Sequence, residues 1–167
     1  MERLINRRQQ GDLGEASAIE WFTRAGAVVS APLGHSPDYD LIADLGAGPL
    51  RVQAKTSVCR RLSRGQDRWV VALCTRGGNR SWQGVSKNFD AASIDYLFVL
   101  VGDGRRWLIP ASGIGGRTNI KVGGARYQEF EIDAARPIDE LIYGGEGAAL
   151  DLPLTGGAPK LESRAGL

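Results

Sequence analysis

The order of apolar and polar residues begins with a pattern typical of a helix. Across GDLGEASAIEWFTRAG, which starts at residue 11, apolar residues recur every three or four positions. Asp12 is the predicted N-cap, Glu15 stands three places on as in a capping box, and Gly26 is the predicted stop signal. The pattern therefore predicts an N-terminal helix over residues 11–26.

Runs of β-type residues follow the helix and predict a sheet. The first three runs are joined by short turn-rich links, an arrangement typical of an antiparallel meander. Residues 84–95 form a predicted loop or short helix, and RPIDELIYG from residue 136 is a predicted closing helix. The predicted strands lie at 27–31, 39–44, 50–56, 69–74, 96–102 and 106–111.

The composition fits one globular domain. The chain has 167 residues, of which 43% are hydrophobic, enough for one sizeable core. We expect this domain to span residues 1–143 and the Gly- and Pro-rich residues 144–167 to form a flexible tail. No apolar run approaches the roughly eighteen residues of a membrane span, and no signal peptide is evident, so we expect a cytoplasmic protein with no membrane partner.

Charge is unevenly distributed along the chain, although the formal net charge is only +2. Residues 51–126 contain 14 basic and 4 acidic residues, whereas both flanking segments are net acidic. Most of the basic residues are arginines, whose planar guanidinium groups bind phosphate oxygens well. Two interpretations stay open at this point: a surface for a polyanionic partner, or arginines spread over a solvated surface.

Four other residues have predicted structural roles. Gly11 and Gly14 fit a close approach between the helix and the sheet, because their spacing lacks the lysine or third glycine of a nucleotide-binding loop. Trp69 and Trp107 are predicted to lie in the core. None of these four residues is a predicted site residue.

The strand at 50–56 carries two polar side chains, Gln53 and Lys55, on one face. Side chains alternate along a strand, so both residues point away from the face that bears Val52. If this strand pairs with 39–44 as a hairpin, Asp40 lies opposite or diagonal to Gln53, with Cβ atoms roughly 5 Å apart when directly opposite. The hairpin therefore brings one carboxylate, one amide and one ammonium group together.

Glu15 adds a second carboxylate from the predicted helix. Its spacing from Ala18, Ile19 and Phe22 places it on the apolar, sheet-facing stripe, where a carboxylate needs a partner. Two carboxylates and an amide oxygen suit a hard divalent cation such as Mg²⁺, which completes its shell with water and substrate phosphate. A neighbouring ammonium group can stabilise charge that grows on phosphate oxygens during attack. The group is therefore suited to phosphodiester hydrolysis.

These residues resemble the PD-(D/E)XK nucleases, in particular the branch typified by group I intron homing endonucleases. The pattern of that superfamily is a helix-borne Glu, an Asp that opens a hairpin, and then an acidic residue, any residue and Lys on the next strand. Here it reads Glu15, then PDYD at 37–40, then QAK at 53–55, within a resemblance over roughly residues 10–132. The resemblance implies an α/β, restriction-endonuclease-like core, with an N-terminal helix followed by a mixed, mainly antiparallel sheet flanked by helices.

The resemblance also implies roles for individual residues. Glu15, Asp40, Gln53 and Lys55 would be catalytic, and the metal ligands would be Glu15, Asp40, Gln53 and the backbone carbonyl of Ala54. The implied cofactor is Mg²⁺, with Mn²⁺ as a substitute. Gln53 departs from the commonest pattern, because it brings a neutral amide where most members have a carboxylate, which weakens the affinity for a cation.

The activity that the resemblance implies is that of a divalent-metal-dependent DNA endonuclease, with the arginine-rich segment as its DNA-binding surface. Cutting both strands requires two active sites, so a homodimer or homotetramer is expected. Alternatives are a Holliday junction resolvase, a repair or restriction-type nuclease, and a nuclease-like DNA-binding module with weak catalysis. Asp38 also remains an alternative to Asp40, since both share one strand face. The predicted DNA contacts are Arg60, Arg61, Arg64, Arg80 and Lys87.

Overall fold

The computed structural model describes residues 6–33, 38–63, 65–76, 86–87 and 89–135. Its elements are α1 (Arg7–Arg24), β1 (Val28–Ser30), β2 (Leu41–Asp44), β3 (Pro49–Ser57), β4 (Arg60–Ser63), β5 (Gln66–Ala72), β6 (Thr75–Arg76), β7 (Ser86–Lys87), β8 (Tyr96–Val101), β9 (Arg106–Pro110), β10 (Asn119–Val122) and β11 (Glu131–Ile132), with two 3-10 turns at Ala111–Gly113 and Ala125–Phe130. The predicted helix from residue 136 and the predicted tail over 144–167 lie outside the described residues. The predicted α/β architecture is confirmed.

Helix α1 begins at Arg7, earlier than the sequence predicted, so the predicted N-cap is wrong. Asn6 is the cap, and its side chain accepts a hydrogen bond of 3.0 Å from the backbone nitrogen of Arg8. Asp12 and Glu15 lie inside the helix and form no capping box. The Glu15 carboxylate therefore has no role in capping the helix.

The glycines of α1 differ in what surrounds them. A Cβ atom on Gly14 would overlap the side-chain oxygen of Thr56, so the prediction of a close helix-to-sheet approach is confirmed there. It is wrong for Gly11, where a Cβ atom would meet nothing within 4 Å. Gly26 follows the helix with a φ of +85°, so the predicted stop signal is correct.

The main sheet has six strands in the order β1-β2-β3-β8-β9-β11. All neighbours are antiparallel except β3 and β8, which are parallel. The predicted meander of β1, β2 and β3 is confirmed, and its register pairs Leu41 with Val52 and Ile42 with Arg51. Because pairing preserves face, Asp40 continues this register on the side of Gln53 and Lys55.

Helix α1 covers one face of the main sheet. Ala18 and Phe22, both fully buried, pack there against Val52, Phe98 and Leu100. This face therefore holds the first of two hydrophobic clusters, and the even-numbered residues of β3 point into it.

A second sheet, in the order β10-β5-β4, covers the opposite face of the main sheet. Leu97 and Val99 of β8 pack there with Val71 of β5, and with Trp69 and Trp107, the two predicted core tryptophans. Strand β4 was not predicted, because RRLS has no apolar alternation and owes its conformation to pairing with β5. Lys55 points towards this second sheet.

Arg106 is a buried side chain that joins three parts of the fold. It is 1% exposed, and its guanidinium group lies 2.7 Å from both the Glu20 and the Asp133 carboxylates. It also donates to the backbone carbonyl of Asp133 and to the hydroxyl of Ser17. Arg106 therefore ties β9 to α1 and to the segment after β11, and it is no part of a basic surface.

Candidate active site

A cleft of about 530 Å³ opens beside the first half of α1 and the middle of β3. Three of the four predicted catalytic residues, Glu15, Asp40 and Lys55, line it together, and Gln53 does not. The cleft is lined by Arg7, Gln10, Gly11, Glu15, Asp40, Ala54, Lys55, Thr56, Ala72 and Cys74. The helix, the hairpin and the end of β5 therefore all contribute to one concave site.

Asp40 lies just before β2 and is held by the neighbouring strand. Its backbone nitrogen donates to the carbonyl of Val52 at 2.9 Å, and its carboxylate accepts a hydrogen bond of 2.7 Å from the backbone nitrogen of Ala54. Burial raises the pKa of Asp40, against the opposing effects of the Ala54 hydrogen bond and the positive charge of Lys55. The carboxylate is thus fixed in position and destabilised in its charged form.

Lys55 reaches the cleft from β3. Burial lowers the pKa of its ammonium group, while the negative charge of Asp40, followed by Cys74 and Glu15, acts in the opposite direction. The lysine is therefore a partly buried cation whose charge interacts with both carboxylates of the cleft.

Glu15 lies in the cleft, but not on the buried stripe of α1 that the sequence predicted. The buried positions of that helix are Gly14, Ser17, Ala18 and Phe22, whereas Glu15 is exposed. Ile19 was also placed on the stripe, and its 40% exposure shows that this was wrong. The stripe is rotated by one residue from the predicted one, which leaves Glu15 at its border, beside the hairpin.

The two carboxylates of the cleft affect each other. Desolvation raises the pKa of Glu15, the negative charges of Asp40 and then Asp12 raise it further, and Lys55 opposes these effects. Two nearby carboxylates with raised pKa values are stabilised in their charged forms when a cation lies between them. Mutual repulsion in the cleft thus fits a site for a positive ion.

The donor set of the cleft fits a hard cation with few protein ligands. Among the described residues, no group of three or more His, Cys, Asp or Glu side chains could hold a metal ion. Two carboxylates, Glu15 and Asp40, are available together with the backbone of Ala54. Mg²⁺ is commonly held by one or two carboxylates and keeps waters and substrate phosphates as its other ligands, so these residues fit it.

Gln53 is buried beside the cleft, with 9% of its surface exposed. Its side-chain nitrogen donates a hydrogen bond of 2.9 Å to the backbone carbonyl of Asp38. Gln53 thereby fixes the segment that carries Asp40, two residues further on. Asp40 lines the cleft and Asp38 does not, which favours Asp40 of the two alternatives.

Six residues that line the cleft are not among the predicted site residues: Arg7, Gln10, Gly11, Thr56, Ala72 and Cys74. The side-chain nitrogen of Gln10 donates a hydrogen bond of 2.9 Å to the backbone carbonyl of Thr56, which ties α1 to β3. Because the predicted helix began at residue 11, Arg7 and Gln10 were not placed on it. In a helix that begins at Arg7, residues four apart share a face, so Arg7 and Gly11 lie on the same face as Glu15.

The predicted DNA contacts have different surroundings. Arg60 is exposed and forms an ion pair with Asp67, and Arg61 is exposed on the same strand. Lys87 lies at the end of β7. Arg64 and Arg80 lie outside the described residues.

Other arginines of the basic segment are paired with acids. Arg51 pairs with Asp95, and Arg105 pairs with Asp103. Together with the buried Arg106, they show that the excess of basic residues does not form one continuous surface.

Residues 5–135, most of the chain, match the PD-(D/E)XK endonuclease family, and the chain therefore belongs to this family. Among solved structures it is similar to a bacterial homing endonuclease, I-Ssp6803I, at 24% sequence identity and a TM-score of 0.57. That alignment covers 71% of this chain and 78% of the other. The similarity shows a shared fold, of the restriction-endonuclease-like type, and confirms the predicted fold class.

A second similarity is to the Holliday junction resolvase Hjc from Archaeoglobus fulgidus. It has 13% sequence identity and a TM-score of 0.43, and the alignment covers 78% of this chain and 93% of the other. No curated protein matches the sequence. In the described residues, no helix is long and apolar enough to cross a membrane. Membership of the family makes the protein a nuclease by class.

Proposed function

We propose that the protein is a divalent-metal-dependent DNA endonuclease that hydrolyses phosphodiester bonds. Mg²⁺ is the proposed cofactor, and Mn²⁺ would replace it. The observation that carries the proposal is the meeting of Glu15, Asp40 and Lys55 in one cleft of a chain that belongs to the PD-(D/E)XK family.

Glu15, Asp40 and the backbone carbonyl of Ala54 would hold the cation. The raised pKa values of both carboxyl groups support this, because a divalent ion would offset their desolvation and mutual repulsion. Gln53, which is buried and does not line the cleft, would act by holding the segment that carries Asp40 through its hydrogen bond to the Asp38 carbonyl. When bound, the cation would polarise the phosphate and make a bound water more acidic.

Lys55 would stabilise the negative charge that develops on the phosphate oxygens, or position the attacking water. Its partial burial supports this role, because an ammonium group interacts more strongly with a phosphate when little water surrounds it. Arg7 lines the same cleft and would add a second positive charge beside the substrate. The chain's own cations would thus neutralise the phosphate while the two acids bind the metal.

The substrate would be DNA, and the active assembly would be a homodimer or homotetramer. Each chain has one cleft of this kind among its described residues, and two strands need two clefts. An assembly that is symmetric would place the second cleft on the opposite strand.

A second candidate is a DNA-binding module of the same fold with weak catalysis. The specific observation in its favour is the donor set: Gln53 stands where most members have a carboxylate, and the described residues contain no three-acid cluster. This candidate predicts that DNA is bound but not cut, even at millimolar Mg²⁺ or Mn²⁺.

Cleavage of supercoiled plasmid by the wild-type protein tests the proposal. We expect nicked or linear DNA with Mg²⁺ or Mn²⁺ and intact plasmid with EDTA, because the cation is required for attack. Cutting that persists in EDTA would contradict the metal dependence, and binding without cutting in either metal would favour the second candidate. Adding linear duplexes and four-way junctions as substrates separates a site-specific endonuclease from a junction resolvase.

A further inference from the structure

The outer face of the second sheet carries three positive side chains. Trp69 and Val71 point into the core, so the alternating residues of β5 point outward, and the paired residues of β4 and β10 point outward with them. We call Arg61, Arg68 and Lys121 the basic face. Their outward neighbours on these strands include Gln66, Val70, Ala72 and Asn119.

The charges of the basic face lie close to one another. Arg61 is directly opposite Arg68 across β4 and β5. Lys121 is opposite Val70, which places it diagonally from Arg68, at roughly 7–8 Å. Like charges that face each other across two strands are destabilising. Such an arrangement is stabilised when an anion binds to it.

The three strands offer no acid to neutralise this face. Their only acidic residue is Asp67, which lies on the inward side and pairs with Arg60. Arg61 and Lys121 are both exposed. Charge complementarity therefore points to a negatively charged partner.

Among the residues that the structure describes, packing and not an acidic partner holds Arg68 in place. Its guanidinium group lies against Gly124, where a Cβ atom would overlap it. Its Nε atom is buried with no hydrogen-bond partner in the described part of the chain, and its side chain makes one long contact of 3.4 Å, to the Gln66 amide oxygen. The planar group is thus preorganised by its packing against Gly124.

The basic face is continuous with the cleft through β5. This strand leads from Arg68 to Ala72, and Ala72 lines the cleft. At about 3.3 Å per residue, Arg68 is roughly 13 Å along the strand from the cleft. That separation equals about four base pairs of B-form DNA, at about 3.4 Å per base pair.

We propose that the basic face binds the phosphate backbone of the DNA substrate, about four base pairs from the phosphate in the cleft. The proposal rests on the proposed function for the identity of the polyanion. The proposal adds two residues, Arg68 and Lys121, that are not among the DNA contacts predicted from the sequence. A second copy of this chain is a poor partner, because a symmetric contact would bring six positive side chains together.

The salt dependence of DNA binding tests this proposal. Fluorescence anisotropy with a short labelled DNA duplex, in EDTA, gives the slope of log Kd against log salt concentration. Each lost phosphate contact lowers that slope by about 0.9, so we expect this decrease for Arg61→Gln and for Lys121→Gln. Arg24→Gln is the matched control, because Arg24 lies at the end of α1, on the other side of the main sheet, and its slope should equal that of the wild type.

Gly124→Ala provides a test without any change of charge. Gly124 has φ −140° and ψ 175°, which alanine adopts readily, so the fold should persist. The new methyl group would displace the Arg68 guanidinium, and we expect a several-fold loss of affinity at low salt.

Three outcomes would overturn the proposal. Wild-type slopes in Arg61→Gln and Lys121→Gln would show that the face does not contact phosphates, and normal plasmid cleavage by these variants would leave the proposed function intact. If these variants change the sedimentation of the protein but not its affinity for DNA, the basic face is a contact between chains. A wild-type protein that neither binds nor cuts DNA would remove the proposed function and this proposal together.

Discussion

At the scale of single residues, the cleft is built from groups that are less stable in their charged forms than they would be in water. Asp40 and Glu15 have raised pKa values and Lys55 has a lowered one; loss of contact with water is the largest cause for all three, partial for the exposed Glu15 and greater for the other two. Functional sites commonly contain such groups, at a cost in stability that binding of a ligand or metal offsets.

Replacement of Asp40 should therefore stabilise the metal-free protein. A carboxyl group with a raised pKa in the folded state favours folding below its ordinary value of 3.8, and this contribution is lost as the pH rises through the folded-state pKa. At pH 7 the charged group costs stability, and Asp40→Asn removes the cost while its amide oxygen can still accept the Ala54 hydrogen bond. The urea midpoint of Asp40→Asn should exceed that of the wild type at pH 7, and the difference should shrink towards pH 4.

Added Mg²⁺ is the control for this effect. It should raise the urea midpoint of the wild type and leave that of Asp40→Asn nearly unchanged, because a ligand stabilises only the folded state that binds it. If the wild type is more stable than Asp40→Asn at pH 7 without metal, the charged Asp40 carboxylate does not cost stability, and this prediction is wrong.

Gly14 permits the close contact between α1 and β3. Its replacement by alanine would press a methyl group onto Thr56, a β-branched residue with few alternative side-chain conformations, at a cost of about 1–3 kcal/mol. Urea denaturation measures this loss. Gly11→Ala is a matched control in the same helix, and since its surroundings are open it should stabilise by about 0.4–1 kcal/mol. Equal effects for both variants would show that the contact is loose.

Residue types and spacing predict that Glu15, Asp40 and Lys55 lie together, and all three line the cleft. Strand alternation and hairpin pairing placed Asp40 beside Gln53, because both rules are local. The hydrogen bond of Gln53 to Asp38 could not be read from the sequence, since it depends on the path of the chain before β2. Cys74 reaches the cleft through the packing of the second sheet, which has no local signal.

At the scale of elements, the strands that the sequence predicts have an apolar run or a clear alternation of their own. Strands β8 and β9 are examples, and both lie in the middle of the fold. Strand β4 was missed because RRLS forms a strand only through its partner β5. The predicted start of α1 at residue 11 is wrong because Asn6, and not Asp12, caps the helix.

The contact between β9 and α1 depends on the buried Arg106. Asp133→Ala removes a carboxylate that accepts from this guanidinium group at 2.7 Å, and leaves a buried charge with fewer partners. We expect a loss of about 1.5–3 kcal/mol in urea denaturation. Glu131→Ala, at an exposed position two residues earlier, should change stability by less than about 0.5 kcal/mol. A loss for Asp133→Ala no larger than for Glu131→Ala would show that Glu20 alone satisfies Arg106.

At the scale of the whole molecule, the cleft lies where α1, the main sheet and the second sheet meet. The helix contributes Glu15, the main sheet contributes Lys55, and the end of β5 in the second sheet contributes Ala72. The cleft is formed only when these three elements pack together in the folded protein. Local sequence patterns therefore predict its two carboxylates and its lysine, but not the other residues that line it.

The proposed assembly has a direct test in sedimentation velocity. A homodimer or homotetramer should sediment with two or four times the chain mass of 17.9 kDa. With enzyme in excess over plasmid, such an assembly should yield linear DNA with little nicked intermediate, because both strands are cut in one encounter. A monomer that releases nicked plasmid would contradict this part of the account.

The most direct test of the central claim is the single-turnover rate of plasmid nicking in Mg²⁺. Asp40→Asn and Lys55→Met should each reduce the rate by about 100-fold or more, since each removes a group that is proposed to hold the metal or to face the phosphate. Asp103→Asn, a matched change at an exposed turn, should cut at the wild-type rate. Wild-type rates for Asp40→Asn or Lys55→Met would contradict the claim that this cleft is where DNA is hydrolysed.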